Sequence, residues 1–148
     1  MNLSKSYKLI LFPVFLFSLL FIPHQQTFGE NWMPNGTAQE GIEQLLDKDS
    51  IKEVSPSIKT VTRKFIVPPK VMIKLRKESA FPITGYSNYS YSLSRWEIDC
   101  KNKTIRILSY HDYDKNGNQL DSRGYGNLDM IPIIPGSFDE KSYKVVCP

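Results

Sequence analysis

The chain has 148 residues, with 19 Lys and Arg against 15 Asp and Glu, and only two cysteines. Lys5 and Lys8 lie within residues 1–29 and every acidic residue lies at or beyond Glu30, so the remainder is close to neutral and its basic isoelectric point does not point to nucleic acid. That remainder suits one small domain with a modest core, room for a sheet and a helix, and excludes a two-domain enzyme.

Residues 1–29 read as a cleavable signal peptide: basic Lys5 and Lys8, an apolar run from Leu9 to Ile22, then a polar stretch ending in the small residues Thr27 and Gly29. A retained membrane anchor is the alternative, but the run is shorter than the roughly 20 residues of a spanning helix and contains Pro13. Cleavage after Gly29 leaves residues 30–148 as the domain, with no stable membrane span and no cysteine near the cut for lipid modification.

From Glu30 to about Gly41 the Asn-, Gly- and Pro-bearing sequence reads as a loose lead-in in which Trp32 could still dock. Ile42, Leu45 and Leu46 lie at helical spacing, so periodicity slightly favours a short helix there, although Asp47-Lys48-Asp49-Ser50 interrupts before Ile51 and Val54. The β-branched run Val61 to Val67, stopped by Pro68-Pro69, has a strand signature. Lys70 to Lys77 interleaves basic residues with Val71, Met72, Ile73 and Leu75 and reads as a half-buried strand or edge ribbon. It serves either as a patch for anionic polymer or membrane headgroups or as an edge that lysines keep from aggregating. Ala80 to Gly85 reads as a loop.

Tyr89 to Cys100 alternates, with Trp96, Ile98 and Cys100 on one face and Arg95, Glu97 and Asp99 on the other. Lys101-Asn102-Lys103 turns the chain into a second strand running to Tyr113, which completes a hairpin. Asn116-Gly117 marks another tight turn, and Met130 to Ile134, interrupted by Pro132, reads as a last edge strand. Ser137-Phe138-Asp139-Glu140 has the form of a capping box opening a helix from about Phe138 to Cys147. Two cysteines in an exported chain read as one disulfide, Cys100–Cys147; two buried free thiols are the competing reading.

No catalytic motif stands out. Asp112-Tyr113-Asp114-Lys115-Asn116-Gly117 matches the first half of a calcium loop, but Arg123 occupies the position of the bidentate Glu, so a hairpin turn is favoured over a metal. His111 is the one histidine of residues 30–148, and Gly85-Tyr86-Ser87-Asn88-Tyr89 lacks the second glycine of a nucleophile elbow. No metal, cofactor or catalytic residue is therefore expected. Tyr86, Tyr89 and Tyr91, interleaved with Ser and Asn, form the most binding-like stretch, because Tyr supplies contact area at low entropy cost; an ordinary strand with its approach loop is the bland alternative. Asn35, Asn88 and Asn102 each begin a glycosylation sequon.

The order of an export signal, an early Trp32, Leu45-Leu46-Asp47 followed by Ser50-Ile51, a strand from Ser92 ending in Asp99-Cys100, and Pro135-Gly136-Ser137 with Glu140 leading to Cys147 resembles the surface-adhesin protein E family of Gram-negative bacteria. Met130 departs from the pattern, standing where an aromatic, commonly Trp, is expected. The resemblance implies an α+β fold, a small antiparallel β-sheet packed against a C-terminal α-helix with Cys100 and Cys147 bridged. It also implies that Gly41 to Asp47 is a strand. For function it implies a surface adhesin engaging host extracellular matrix or other host proteins, without enzymatic activity. A periplasmic accessory or assembly protein and a small secreted hydrolase using His111 are the alternatives. The address is the periplasm or the outer surface; the oligomeric state stays open, a homodimer included.

Overall fold

The computed structural model describes residues 31–126 and 128–148; the signal peptide read at 1–29 lies outside the described residues. Seven strands form one antiparallel sheet: β1 (Trp32–Thr37), β2 (Glu43–Ser55), β3 (Ile58–Ile66), β4 (Tyr89–Asp99), β5 (Thr104–Asp114), β6 (Gln119–Gly124) and β7 (Ile131–Pro132). Neighbours in the sheet are neighbours in sequence from β1 to β6, and β7 pairs with the free stretch of β5 beside β6. Helix α1 (Pro69–Glu78) connects β3 towards β4, and α2 (Phe138–Val146) closes the chain.

The β4–β5 hairpin turns at Lys101 to Lys103, where Lys103 takes a positive φ of 54° and the Asp99 carboxylate accepts from the backbone of Lys101 and Asn102. Asn116-Gly117 turns β5 into β6, with Gly117 at φ 80°. Other expectations need correction. The lead-in at 30–41 contains β1, because an edge strand needs hydrogen bonds on one side only and so tolerates Pro34 and a bulge at Asn35. In place of the short helix that periodicity favours, the strand β2 starts at Glu43 and is paired on both sides, as the resemblance implies for Glu43 to Asp47, while Gln39–Gly41 form a single 3-10 turn ahead of it. Lys70 to Lys77 is not a strand but most of α1: Pro69 sits in the first turn with φ preset, and Val71, Met72 and Ile73 pack onto the sheet. The expected strand Met130 to Ile134 shrinks to the two-residue β7, since Pro132 cannot donate to a longer ladder.

Both helices lie on one face of the sheet. Beneath α2, Leu46, Val61, Ile98, Ile105 and Val146 form one buried cluster; beneath α1, Val67, Tyr86 and Tyr89 form a second. The Ser137 hydroxyl caps α2 by accepting from the Glu140 N–H, and Glu140 reaches back to accept from the Gly136 N–H. At its other end, Cys147 is bridged to Cys100 with the Cα atoms 5.6 Å apart. Gly36 lets β1 approach α2: a Cβ there would stand 2.9 Å from the Phe138 ring. Helix α1 is anchored by the buried Arg76, whose guanidinium reaches Asp112 at 3.2 Å and Asp121 at 2.8 Å while its Nε donates to the Pro82 carbonyl.

Two expected outcomes follow from these anchors. The Cys100→Ser/Cys147→Ser protein should lose about 4 kcal/mol in chemical denaturation, the loop-closure entropy of so long a segment; an unchanged midpoint would mean that the bridge leaves the unfolded chain unconstrained. The second concerns pH. Burial works to raise the Asp121 carboxyl, but hydrogen bonds from Arg76, Tyr110 and the Ser122 N–H outweigh it and hold the group below the ordinary carboxylate value. A group held low folded contributes stability that is complete above its unfolded pKa, near ~4, and is lost as pH falls through the lower folded value. Asp121→Asn should therefore flatten the acid limb of stability against pH, and an acid limb of unchanged slope would remove this carboxylate from the account.

Candidate functional site

Because side chains alternate along a strand, every residue pointing at the helices is flanked by neighbours pointing away. The outward set is organised by the register. One row runs Leu45–Lys64–Leu93–His111–Ser122 across β2 to β6. A second joins Tyr91 to Tyr113, and a third runs Trp32–Asp47–Thr62–Arg95–Ser109. Trp32, Lys64, Tyr91 and Tyr113 are all half-buried, the state of side chains that lie against one another on an open sheet surface.

These four residues form a ladder. The Lys64 Nζ stands 4.3 Å from the centroid of the Tyr91 ring and 5.7 Å from that of Trp32, so the ammonium sits between two aromatic rings. Tyr91 in turn stacks on Tyr113 at 5.1 Å with 25° between the planes. Each contact contributes on the order of 0.5–1 kcal/mol and together they hold the rings upright. Tyr91 thus has Lys64 on its β3 side and Tyr113 on its β5 side, which leaves ring edges and phenol hydroxyls for a ligand. Burial and the neighbouring Tyr91 raise the Tyr113 phenol, so it keeps its proton at neutral pH and can donate. Arg95 is exposed, and neither it nor Lys64 enters an ion pair among the described residues, whereas Arg106 is neutralised by Glu97 at 2.7 Å.

Of the three tyrosines singled out in the sequence, only Tyr91 belongs to this face. Tyr86 and Tyr89 are each 1% exposed. Tyr86 donates to Asp112 at 2.6 Å, and the Tyr89 hydroxyl lies 2.8 Å from the Ser92 Oγ and donates to the Phe65 carbonyl at 3.3 Å. Burial pushes both phenols up, as befits core hydroxyls. The cause is a bulge: Tyr89 pairs with Asp114 and Tyr91 with Tyr113, so one extra residue in β4 throws Tyr91 onto the opposite face. Trp32, Lys64 and Tyr113 were not singled out in the sequence as binding residues. Alternation places Lys64 opposite Arg63 and Phe65, but the neighbours that make it part of a ladder come from β1 and β4.

The half calcium loop is taken up otherwise. The Asp112 carboxylate accepts from Ser92, Tyr86 and Arg76 inside the protein, and the Asp114 carboxylate accepts from the backbone of Asn116 and Asn118 in the turn. Among the described residues no group of three His, Cys, Asp or Glu side chains is placed to hold a metal. A cavity of about 220 Å³ under α1 has Met72, Leu75, Phe81 and Tyr110 as walls, and its charged floor, Arg76 and Asp112, is spent in the anchor described above. The sequon residue Asn35 is 5% exposed and donates to the Ser142 hydroxyl at 2.8 Å, while Asn102 lies on the exposed hairpin turn.

Comparison with known proteins agrees with this architecture. The surface-adhesin protein E family matches residues 32–148. The crystal structure of Haemophilus influenzae protein E, crystal form II, has a similar fold, with a TM-score of 0.50, 10% sequence identity, and coverage of 80% of this chain and 87% of that one. No curated protein matches the chain. With the sheet, the capped C-terminal helix and the Cys100–Cys147 bridge all inside the matched span, the chain belongs to the surface-adhesin protein E family.

Proposed function

We propose that this protein is an exported, non-enzymatic binding domain that attaches to host extracellular proteins through the helix-free face of its sheet, with Tyr91 at the centre of the contact. The observation that carries the reading is the ladder of Trp32, Lys64, Tyr91 and Tyr113 on that face, in a member of an adhesin family. Half-buried aromatics beside unpaired cations are the composition of binding surfaces, where Trp, Tyr and Arg are enriched. Export is supported by the leader read at 1–29, and no helix among the described residues is long and apolar enough to cross a membrane.

The hydrolase alternative gains little from the geometry. The His111 Nδ1 and the Ser122 hydroxyl each bond the Gln119 amide rather than one another, which withholds the contact between base and nucleophile that acyl transfer needs. Both cysteines are spent in the bridge.

Two measurements test the proposal together. Protease added to intact cells should remove the protein, and the purified exported protein should bind members of a panel of immobilised matrix proteins. Tyr91→Ala should weaken that binding by about tenfold or more, the loss expected of a central interface tyrosine, while Tyr89→Phe, inside the core, should leave it alone. Full protection from protease together with no matrix binding would replace host attachment with a periplasmic accessory role.

A further inference from the structure

The helix-bearing side of the sheet holds a cavity whose chemistry is independent of the face that carries Tyr91. Arg63, Ser94, Tyr110 and Arg123 stand opposite one another across β3 to β6 on that side. Near Tyr110 the cavity of about 220 Å³ opens beside the last turn of α1. Its floor reaches core depth, because Arg76 and Asp112 are 6% and 3% exposed, while Leu75 and Ser79 at its mouth are exposed.

Charge does not select an occupant here. Arg76 and Arg123 cancel Asp112 and Asp121, the exposed Lys77 and Glu78 cancel on the last turn of α1, and Lys74 is paired with Glu40 at 3.3 Å. The polar groups of the floor are also spent. The Arg76 Nε, Nη1 and Nη2 donate to the Pro82 carbonyl, Asp112 and Asp121, Asp112 accepts further from Tyr86 and Ser92, and the Tyr110 hydroxyl donates to Asp121. A charge buried on this floor would lose its hydration without gaining a partner. What the cavity offers is the apolar wall of Met72, Leu75, Phe81 and the Tyr110 ring, with the Ser79 hydroxyl at the mouth.

The walls favour a ring. Two guanidinium groups lie over Phe81, Arg123 at 4.7 Å and Arg76 at 5.4 Å from the centroid, and Tyr110 packs on Tyr125 at 6.0 Å, so both rings are held before anything binds. Aromatic walls in fixed positions gain from edge-to-face or offset contact with a further ring, and the Met72 thioether favours one as well. An apolar cavity of about 150 Å³ holds benzene. The 220 Å³ beside α1 therefore has room for one ring and one short substituent.

We propose that the cavity beside α1 binds a small neutral molecule with a single aromatic ring and one hydroxyl, the ring between Phe81 and Tyr110 and the hydroxyl at Ser79.

The test is titration of the exported protein with benzyl alcohol, followed by the amide NMR signals of the protein, beside cyclohexylmethanol, benzoate and benzylamine as ring compounds of similar size. Benzyl alcohol should shift the signals of Leu75 to Phe81 and of Tyr110 saturably, and the other three should each bind about fivefold more weakly or worse. Phe81→Ala should weaken benzyl alcohol by about tenfold, and Ser79→Ala by roughly threefold. Leu75→Trp, which places a larger side chain at the mouth, should abolish the shifts; Leu75 is 41% exposed, so this variant keeps the test readable if Phe81→Ala fails to fold. Leu128→Ala, which alters a leucine 44% exposed beside Arg106, should change nothing. Shifts that never saturate, or that persist in Leu75→Trp, would overturn the site. Tighter binding of benzoate or benzylamine would overturn the neutral ligand, and equal binding of cyclohexylmethanol the aromatic one. A Phe-bearing peptide that binds more tightly than benzyl alcohol would give the cavity to a side chain of a protein partner and overturn the small molecule. Tyr91→Ala should leave the titration unchanged; loss of binding in that variant would move the ring to the helix-free face.

Discussion

Among the described residues two short helices serve a seven-stranded sheet, and this ratio of covering material to sheet governs the rest of their packing. Helices of 10 and 9 residues are each only about 15 Å long, enough for part of one face and no more. Both settle on the same side, where they bury the two apolar clusters. The opposite side carries no helix among the described residues; its Leu93, Thr62 and Asp47 are covered by neighbouring side chains of the sheet, and the amphipathic residues around them stay half-buried. The ladder of Trp32, Lys64, Tyr91 and Tyr113 is therefore a consequence of the covering problem. Amphipathic side chains lie on one another where no helix lies on them.

The same ratio explains the seam between the helices. Neither cluster extends across it, and the seam holds Arg63, 1% exposed, ion-paired to Asp139 of α2 at 2.6 Å and stacked 4.1 Å over Trp96. Burial lowers the pKa of this guanidinium, and the hydrogen bond and charge of Asp139 oppose that effect. Its Nε and Nη2 find no hydrogen-bond partner among the described residues. Such a pair adds little net stability over an apolar filling, but losing Asp139 would strand a buried charge, so the pair ties the position of α2 to β3. With the cap at Ser137 and the bridge at Cys147, α2 is held at its start, along its length and at its end.

Elements whose signals are local were legible in the sequence. The hairpin of β4 and β5 announces itself by alternation around Lys101-Asn102-Lys103, the tight turn by Asn116-Gly117, and α2 by its capping residues, because each depends on neighbours within a few positions. The segment from Lys70 to Lys77 was misread because four apolar residues among five positions satisfy both a two-residue and a 3.6-residue period. What makes it a helix with Arg76 inward is the pair of carboxylates Asp112 and Asp121, which come from β5 and β6. β1 was missed for a related reason: Pro34 and Gly36 are loop signals anywhere except at a sheet edge. In the candidate site, Tyr91 is picked out from the sequence together with Tyr86 and Tyr89, but its separation from them depends on a bulge that no local pattern announces.

The sequence by itself carried the local signals of an α+β domain, a pair of cysteines read as one bridge between Cys100 and Cys147, and a resemblance to the adhesin family that the match over residues 32–148 turns into membership. The local signals follow from periods of two and 3.6 and from capping residues, and the bridge from an even cysteine count; the family rests on the resemblance. Tertiary structure alone decided which face each residue serves. Whether a side chain meets a helix or water depends on strand register, on a bulge one residue long, and on where two short helices come to rest. For that reason Tyr89 became core, Tyr91 became surface, and Lys64, ordinary in the sequence, came to stand between two aromatic rings.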